Sequence, residues 1–466
     1  MPVVVMLVAA CTGAGGRRSS TASPSNATSP PAGGGSSSAP GTATPDGAAD
    51  WPTYHRDAAR SGYDRTMTSV KTLSTAWAAR LDGAVYAEPL VVGGSVIAAT
   101  ENDTVYSLDS STGSIHWRRS LGTPVPLSDL PCGNIDPLGI TSTPAFDAAS
   151  GRLFVVAELQ RSGAIGHELF ALDPATGNVV AARSADPAGS DPSVQQQRGA
   201  LAVGNGRVYV PFGGLFGDCG DYHGYVVGIP TDLAGAADVY SPLQAVPSAS
   251  GGAMWAPPGP VMDGSGSLYV ALGNGRTSPP YDDSDSILEL SPSLGLRDSF
   301  SPSEWAQDNA GDLDLGSTGP ALAGGFVFAD GKSGTAYLLR RGNLGGIGGQ
   351  VASAIVCVAF GGDAVIGTRV FVPCVDGIRA VDVGDGTIRV AWHTPVHAAT
   401  GPAVVGGGAV WSVGIENGVL YALDQQTGAG IASLAVGSVE HFATPTLWHG
   451  LVFVPTSTGV VAVRAI

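Results

Sequence analysis

The chain has 466 residues, of which 68 are Gly and 33 Pro, only 13% are charged, and the formal net charge is −16. That balance argues against nucleic acid or an anionic membrane surface as a partner and fits an acidic, solvated exterior. No segment sustains a helical period, while turn signals recur roughly every 8–12 residues, the pattern of an all-β chain.

Residues 1–11 read as a signal peptide and lipobox. The apolar run PVVVMLVAA is too short to span a bilayer. It ends in Val8-Ala9-Ala10-Cys11, which resembles a bacterial lipobox, whose Cys is lipidated and becomes the new N-terminus. No basic residues precede the run, as a signal peptide requires, so the expected start lies upstream; the competing reading is a chance VAAC. Residues 12–49 form a Gly/Ser/Thr/Pro/Ala tract without core-forming side chains, expected to be a disordered tether. Its r.m.s. span would be roughly 35 Å. Together these features predict export and a lipid anchor on the outer face of the cell membrane, the lipid being the only membrane contact.

Residues 50–466 are expected to form one domain. It opens with DWPTYHRDAARSGY, then a strand at Ser74–Gly83, then the first clear copy of a repeat, TVYSLDSSTGSIHW at Thr104–Trp117. Further copies are Gly166–Ala181, Asp376–Trp392 and Asn417–Ala432, with weaker ones at Gly224–Gly235, Asp285–Phe300, Gly334–Gly345 and Thr458–Ile466. Period-2 alternation buries one strand face, the Asp caps the turn, and the Gly takes its positive φ. The equivalent positions Leu108, Leu172, Ile229, Leu290, Leu339, Val381, Leu423 and Val463 lie about 40 to about 64 residues apart, the spacing of propeller blades. One copy cannot bury its own sheet face, so the copies must stack. Six Pro residues, in Glu88-Pro89, Thr143-Pro144, Gly259-Pro260, Gly319-Pro320, Gly401-Pro402 and Thr444-Pro445, each stand before an apolar run and mark the first residue of a strand. The last copy stops after three strands. The strand carrying Trp77 would complete it and close the ring, removing the exposed edges. The prediction is an all-β, eight-bladed propeller of four-stranded antiparallel blades, expected to be a monomer.

The Pro-marked strand starts, the Y-A-L-D-x-x-T-G turn and the closing Trp resemble the pyrroloquinoline quinone (PQQ) repeat. That family includes quinoprotein alcohol dehydrogenases and non-enzymatic lipoprotein propellers, so the resemblance implies fold more than chemistry. With Cys11 lipidated, four Cys remain and three pairings are open. In an up-and-down blade of strands a to d, the d–a and b–c loops share one face. That topology pairs Cys132 with Cys219 and Cys357 with Cys374. A zinc site lacks any CxxC spacing.

Four stretches resemble the quinoprotein dehydrogenase site. Trp255 in GAMW matches the floor on which PQQ stacks, and Asn274 in LGNG matches a calcium ligand. Asp312 in GDLD matches the catalytic base, also a calcium ligand, and Lys332 in GKSG matches the cation that touches the quinone. The chemistry asks for these types: an aromatic face for a flat tricycle, hard oxygens for Ca²⁺, a carboxylate for the alcohol proton, and a cation for growing negative charge. Lys332 is one of only two lysines, with Lys71. The departures are as specific. The loop expected to carry a Glu calcium ligand reads FGGLFGDCGDY, offering Asp218 and Asp221 instead, and Gly311 replaces the Trp before the base. Each residue also has a plain alternative: a blade-packing Trp255, a left-handed turn at Asn274, a turn-capping Asp312, a solvated Lys332. Among the histidines only His397 and His441 sit near predicted strand starts. The departures rank first a non-enzymatic tethered lipoprotein binding a protein partner or small ligand on the loop face. A PQQ- and Ca²⁺-dependent dehydrogenase of an alcohol, sugar or polymer alcohol ranks second.

Overall fold

The computed structural model describes residues 50–242, 250–276 and 279–466. The signal peptide, Cys11 and the tether lie outside the described residues. Eight sheets, each with four antiparallel strands, make up the ring, the last taking its fourth strand from the start of the chain; Tyr63–Asp64, Gln195–Gln196 and Gly346–Ile347 each add a short fifth strand to one of them. Numbered as blades, they span 90–120, 145–184, 202–240, 261–301, 321–355, 364–393, 404–435, and 446–465 completed by 73–80. All eight equivalent repeat positions, from Leu108 to Val463, are fully buried. The ring closes as the repeat count requires. Leu73–Arg80 pairs antiparallel with Gly459–Ala465, placing Trp77 opposite Ala462.

The repeat turn works through its Asp. Asp109 accepts the amides of Ser111 and Thr112, Asp173 those of Ala175 and Thr176, and Asp424 those of Gln426 and Thr427. The closing Gly113, Gly177 and Gly428 have φ of +74°, +68° and +72°. The Trp that ends a blade then docks on the next blade's turn. Trp77 Nε1 donates to Ser110 O (2.9 Å), Trp117 Nε1 to Pro174 O (3.0 Å), and Trp392 Nε1 to Gln425 O (3.2 Å). A Cβ on the corresponding Gly would stand 2.6, 2.4 and 2.5 Å from the indole. A guanidinium adds to this joint: Arg119 donates to Gly177 O (2.7 Å), and between blades 2 and 3, where there is no Trp, Arg183 donates to Gly235 O (2.9 Å).

Two features carried no sequence pattern. A short helix, Trp305–Gly311, precedes blade 5 and ends on Asp312 in the left-handed region, φ 55°. The segment 51–64 is not a surface lead-in but a plug drawn along the ring's inner strands. It bonds Val91 of blade 1, Phe146 of blade 2, Met262 of blade 4, Val365 of blade 6 and Val405 of blade 7 through the backbone. It reaches Leu201 and Thr444, ahead of blades 3 and 8, through Arg60 and Tyr54. Glu88 holds it by accepting Trp51 Nε1 (2.9 Å) and the His55 amide (2.7 Å). Trp51, Tyr54, His55 and Arg60 are all buried. Both disulfides form as the topology requires, Cys132–Cys219 and Cys357–Cys374.

Gly177 (φ +68°) and Gly151 (φ +66°) share a backbone conformation, but only the first faces an indole; Gly151 faces open space. Gly151→Ala is expected to cost ~1 kcal/mol of backbone strain. Gly177→Ala is expected to cost a further ~1–3 kcal/mol from overpacking against Trp117. Thermal unfolding of the two variants side by side reads that difference.

Candidate active site

One cavity of about 500 Å³ opens on the face where the d–a and b–c loops meet. Its size lies within the usual range for ligand pockets, roughly 300–1,000 Å³. Trp255, Asn274, Asp312 and Lys332 all line it, brought together from the loops around blades 4 and 5. Asp218 lines it too, from the b–c loop of blade 3. Asp221 does not: it is exposed and lies outside the lining, two residues past the Cys132–Cys219 disulfide. Asp218 is already engaged, since its Oδ1 accepts the Tyr222 hydroxyl (2.7 Å).

The geometry decides several of the alternatives. Asn274 has no positive φ, so it is not a left-handed turn residue. Asp314 Oδ1 accepts its amide (2.6 Å), and its Nδ2 donates to Asp312 Oδ1 (2.9 Å). Its Oδ1 is buried with no hydrogen-bond partner, the orphan acceptor a cation would satisfy. Gly273 is required beside it: a Cβ there would meet Asp314 Oδ1 at 2.4 Å and Trp255 Nε1 at 3.0 Å. Lys332 is not a loose loop cation. Its Nζ lies 2.9 Å from Asp312 Oδ1, pairs more closely with Asp314 Oδ2, and stands 5.5 Å from the Trp255 ring centroid. Burial alone would lower the Lys332 pKa, but the Asp314 and Asp312 carboxylates outweigh it and hold the ammonium above its ordinary range. Burial pushes the Asp314 carboxyl up, opposed by Lys332 and the Asn274 amide. Asp312 is different in kind: its side chain is 76% exposed, at the mouth.

The opposite side of the floor was missed in the sequence. The Phe442 ring lies 6.2 Å from Trp255, and the Arg198 guanidinium sits 4.8 Å over Phe442. The two rings are tilted 45° to one another, so Phe442 forms a wall beside the Trp255 floor, with Lys332 near the first ring and Arg198 over the second. Burial holds the Arg198 pKa below its usual value, against the pull of Tyr86 and Glu101. No carboxylate forms an ion pair with it among the described residues. Its place in a d–a loop was countable from the repeat, but nothing marked its direction. His441 also lines the cavity, whereas His397 bonds the Asp376 carbonyl elsewhere (2.9 Å).

These residues fit a flat, anionic, ring-shaped ligand, with an aromatic floor and a cation at each end. Among the described residues no group of three or more His, Cys, Asp or Glu is arranged to hold a metal ion. The Asn274 and Asp312 oxygens could still hold calcium if the ligand supplied further oxygens, since Ca²⁺ takes 6–8.

Asp314→Ala should leave Lys332 paired only to the exposed Asp312 and the Asn274 amide without its acceptor, costing ~1–3 kcal/mol. Asp312→Ala leaves Lys332 paired to Asp314 and should cost ~0–1 kcal/mol. Denaturant unfolding of the two variants separates these outcomes.

Residues 46–211 match a PQQ-repeat family model described as outer membrane protein assembly factor BamB. The polyvinylalcohol dehydrogenase of Sphingopyxis sp. (strain 113P3) is 23% identical over 251 residues. That alignment covers 49% of this chain and 35% of the enzyme, so the chain matches about a third of that relative's length. Among solved structures, quinohemoprotein alcohol dehydrogenase from Comamonas testosteroni superposes with TM-score 0.69 at 18% identity, over 89% of this chain and 80% of that one. A europium-containing methanol dehydrogenase gives TM-score 0.68 at 14% identity, over 90% and 98%.

Proposed function

We propose that this chain, a member of the PQQ-repeat propeller family, is an extracytoplasmic dehydrogenase that oxidises an alcohol using PQQ and calcium. The observation that carries the reading is the convergence of Trp255, Asn274, Asp312 and Lys332 on one cavity, with the Asn274 oxygen left unpartnered. The binding-scaffold reading, ranked first on the departures from the enzyme pattern, now ranks second. The similar enzymes with known names act on alcohols, and the missing Glu does not disperse the other four residues.

When bound, PQQ would supply a two-electron acceptor and calcium a Lewis acid. Trp255 provides the surface for the planar ring and Phe442 an inclined wall beside it, and Lys332 and Arg198 the counter-charges for its anionic edges. Asn274 and Asp312 would hold the metal. Asp312 Oδ1 is occupied by Asn274 and Lys332, and Oδ2 has no hydrogen-bond partner among the described residues. Oδ2 is therefore the atom placed to accept the hydroxyl proton of an alcohol arriving from the mouth. Lys332, kept charged by its two carboxylates, stands ready to stabilise negative charge at the ring edge. The two disulfides support an oxidising compartment. The Cys11 lipid anchor and the 12–49 tether complete the proposal for its location.

Titrating the full chain with PQQ and Ca²⁺ tests it. Saturable quenching of tryptophan fluorescence and Ca²⁺-dependent dye reduction with simple alcohols are expected. Arg198→Met and Lys332→Met should each weaken PQQ binding about 10- to 100-fold, the worth of a charge-assisted contact. Absence of PQQ binding at high micromolar concentration would end the enzyme reading.

A further inference from the structure

The short helix Trp305–Gly311 has no place in the four-strand repeat, so blade packing alone does not account for it. It delivers the proposed base. The helix ends on Asp312, and the Leu313 amide closes the turn by donating to the Asp308 carbonyl (3.0 Å). Its flank lies against the b–c loop of blade 4, the loop that carries Asn274. At the start of the helix, Trp305 packs edge-on to Tyr281 of that loop, with ring centroids 5.1 Å apart. One turn later Asn309 closes the neck of the loop. Its Oδ1 accepts the Gly275 amide (2.9 Å), and its Nδ2 donates to Ser284 Oγ (2.9 Å) on the returning arm. The fit is close: a Cβ on Gly275 would stand 2.5 Å from Asp282 Oδ2 and 2.9 Å from Ser284 Oγ.

We propose that Asn309 is a positioning residue: it fixes the Asn274 backbone relative to Asp312, and so sets how tightly the two side chains hold a cation. The proposal rests on the dehydrogenase reading for the identity of that cation, but not for the clasp itself. Asn274 and Asp312 stand on separate segments, and oxygens shared by calcium must each lie within about 2.3–2.6 Å of it. Three bonds tie the two segments together. The Asn274 amide donates to Asp314 Oδ1 (2.6 Å), the Leu315 amide to Asp285 Oδ1 (3.1 Å), and the Gly275 amide to Asn309 Oδ1 (2.9 Å). Of the three, Asn309 alone stands before Asp312 in the chain, so Asp312 is pinned from both sides. Asparagine suits the position, because one amide group accepts from one arm of the loop and donates to the other. It does so without adding a charge beside the Asp282 carboxylate. The Asn274 Oδ1 left without a partner is the atom whose place this clasp fixes.

Titrating Ca²⁺ into the full chain at fixed PQQ, read by tryptophan fluorescence, tests the proposal in Asn309→Ala. Alanine is the best helix former, so the variant should keep its fold, which a melting curve checks. The Ca²⁺ concentration for half-maximal quenching should rise about 10- to 100-fold, while PQQ affinity at saturating Ca²⁺ stays within about twofold of wild type. A role confined to stability would instead lower PQQ affinity at every Ca²⁺ concentration. Ser284→Ala, which removes one arm of the clasp and leaves the Gly275 bond, should move the half-point the same way but by less. Calorimetric titration of the cofactor-free chain with Ca²⁺ alone gives a readout that does not need PQQ. A half-point within about twofold of wild type, or a PQQ deficit that calcium does not cure, would overturn the proposal even if alcohols are oxidised. No response to calcium in either titration would overturn it as well. Calcium binding weakened in Asn309→Ala, without any PQQ binding, would uphold the role of Asn309 and sink only the dehydrogenase reading.

Discussion

A tryptophan packed on its neighbour's turn glycine is the joint from which the ring is built. The indole needs a flat berth, and only a residue without Cβ, held at positive φ, leaves one. The Asp four residues earlier fixes that turn, so one short string of sequence specifies both a hairpin and the contact between blades. Where the Trp is absent, as between blades 2 and 3, Arg183 still reaches the carbonyl of the turn-closing Gly235, as Arg119 reaches Gly177 beside Trp117. Rigid joints matter to the site because its residues come from loops on separate blades. Their mutual distances are only as fixed as the blades beneath them.

Inside the cavity the governing term is charge. The chain carries 39 acidic and 23 basic residues, with only two lysines. One of those lysines is placed against Asp312, Asp314 and the Trp255 ring, and an arginine is set over Phe442, with no carboxylate paired to it among the described residues. A cation in so acidic a protein normally finds an acid. Among the described residues no carboxylate forms an ion pair with this arginine, and an anionic group set beside it would recover part of its desolvation cost.

The legible part of this structure is what local sequence controls. The Asp-x-x-Thr-Gly turns, the Pro-marked strand starts and the burial of all eight repeat positions follow from propensity and alternation over a few residues. The closing strand was legible because a missing fourth strand is a counting problem. The plug was not. His55 and Asp363 are 308 positions apart, Tyr54 and Thr444 are 390 apart, and residues 51–64 have no period to betray them. The site divides in the same way. Residues embedded in short motifs could be named, whereas Arg198 and Phe442 depend on which way a loop side chain turns. Asp221 was misplaced for the same reason, two residues past a disulfide that ties its loop to Cys132.

The plug has a consequence for the ring's cohesion. The chain's own leading segment runs along the inner strands, held by buried Glu88 and bonded through the backbone to blades 1, 2, 4, 6 and 7. Five blades are thereby tied at their inner edges to one stretch of fourteen residues, 51–64, that belongs to none of their four-stranded units, so a loosening of that stretch would be felt at several inter-blade seams at once.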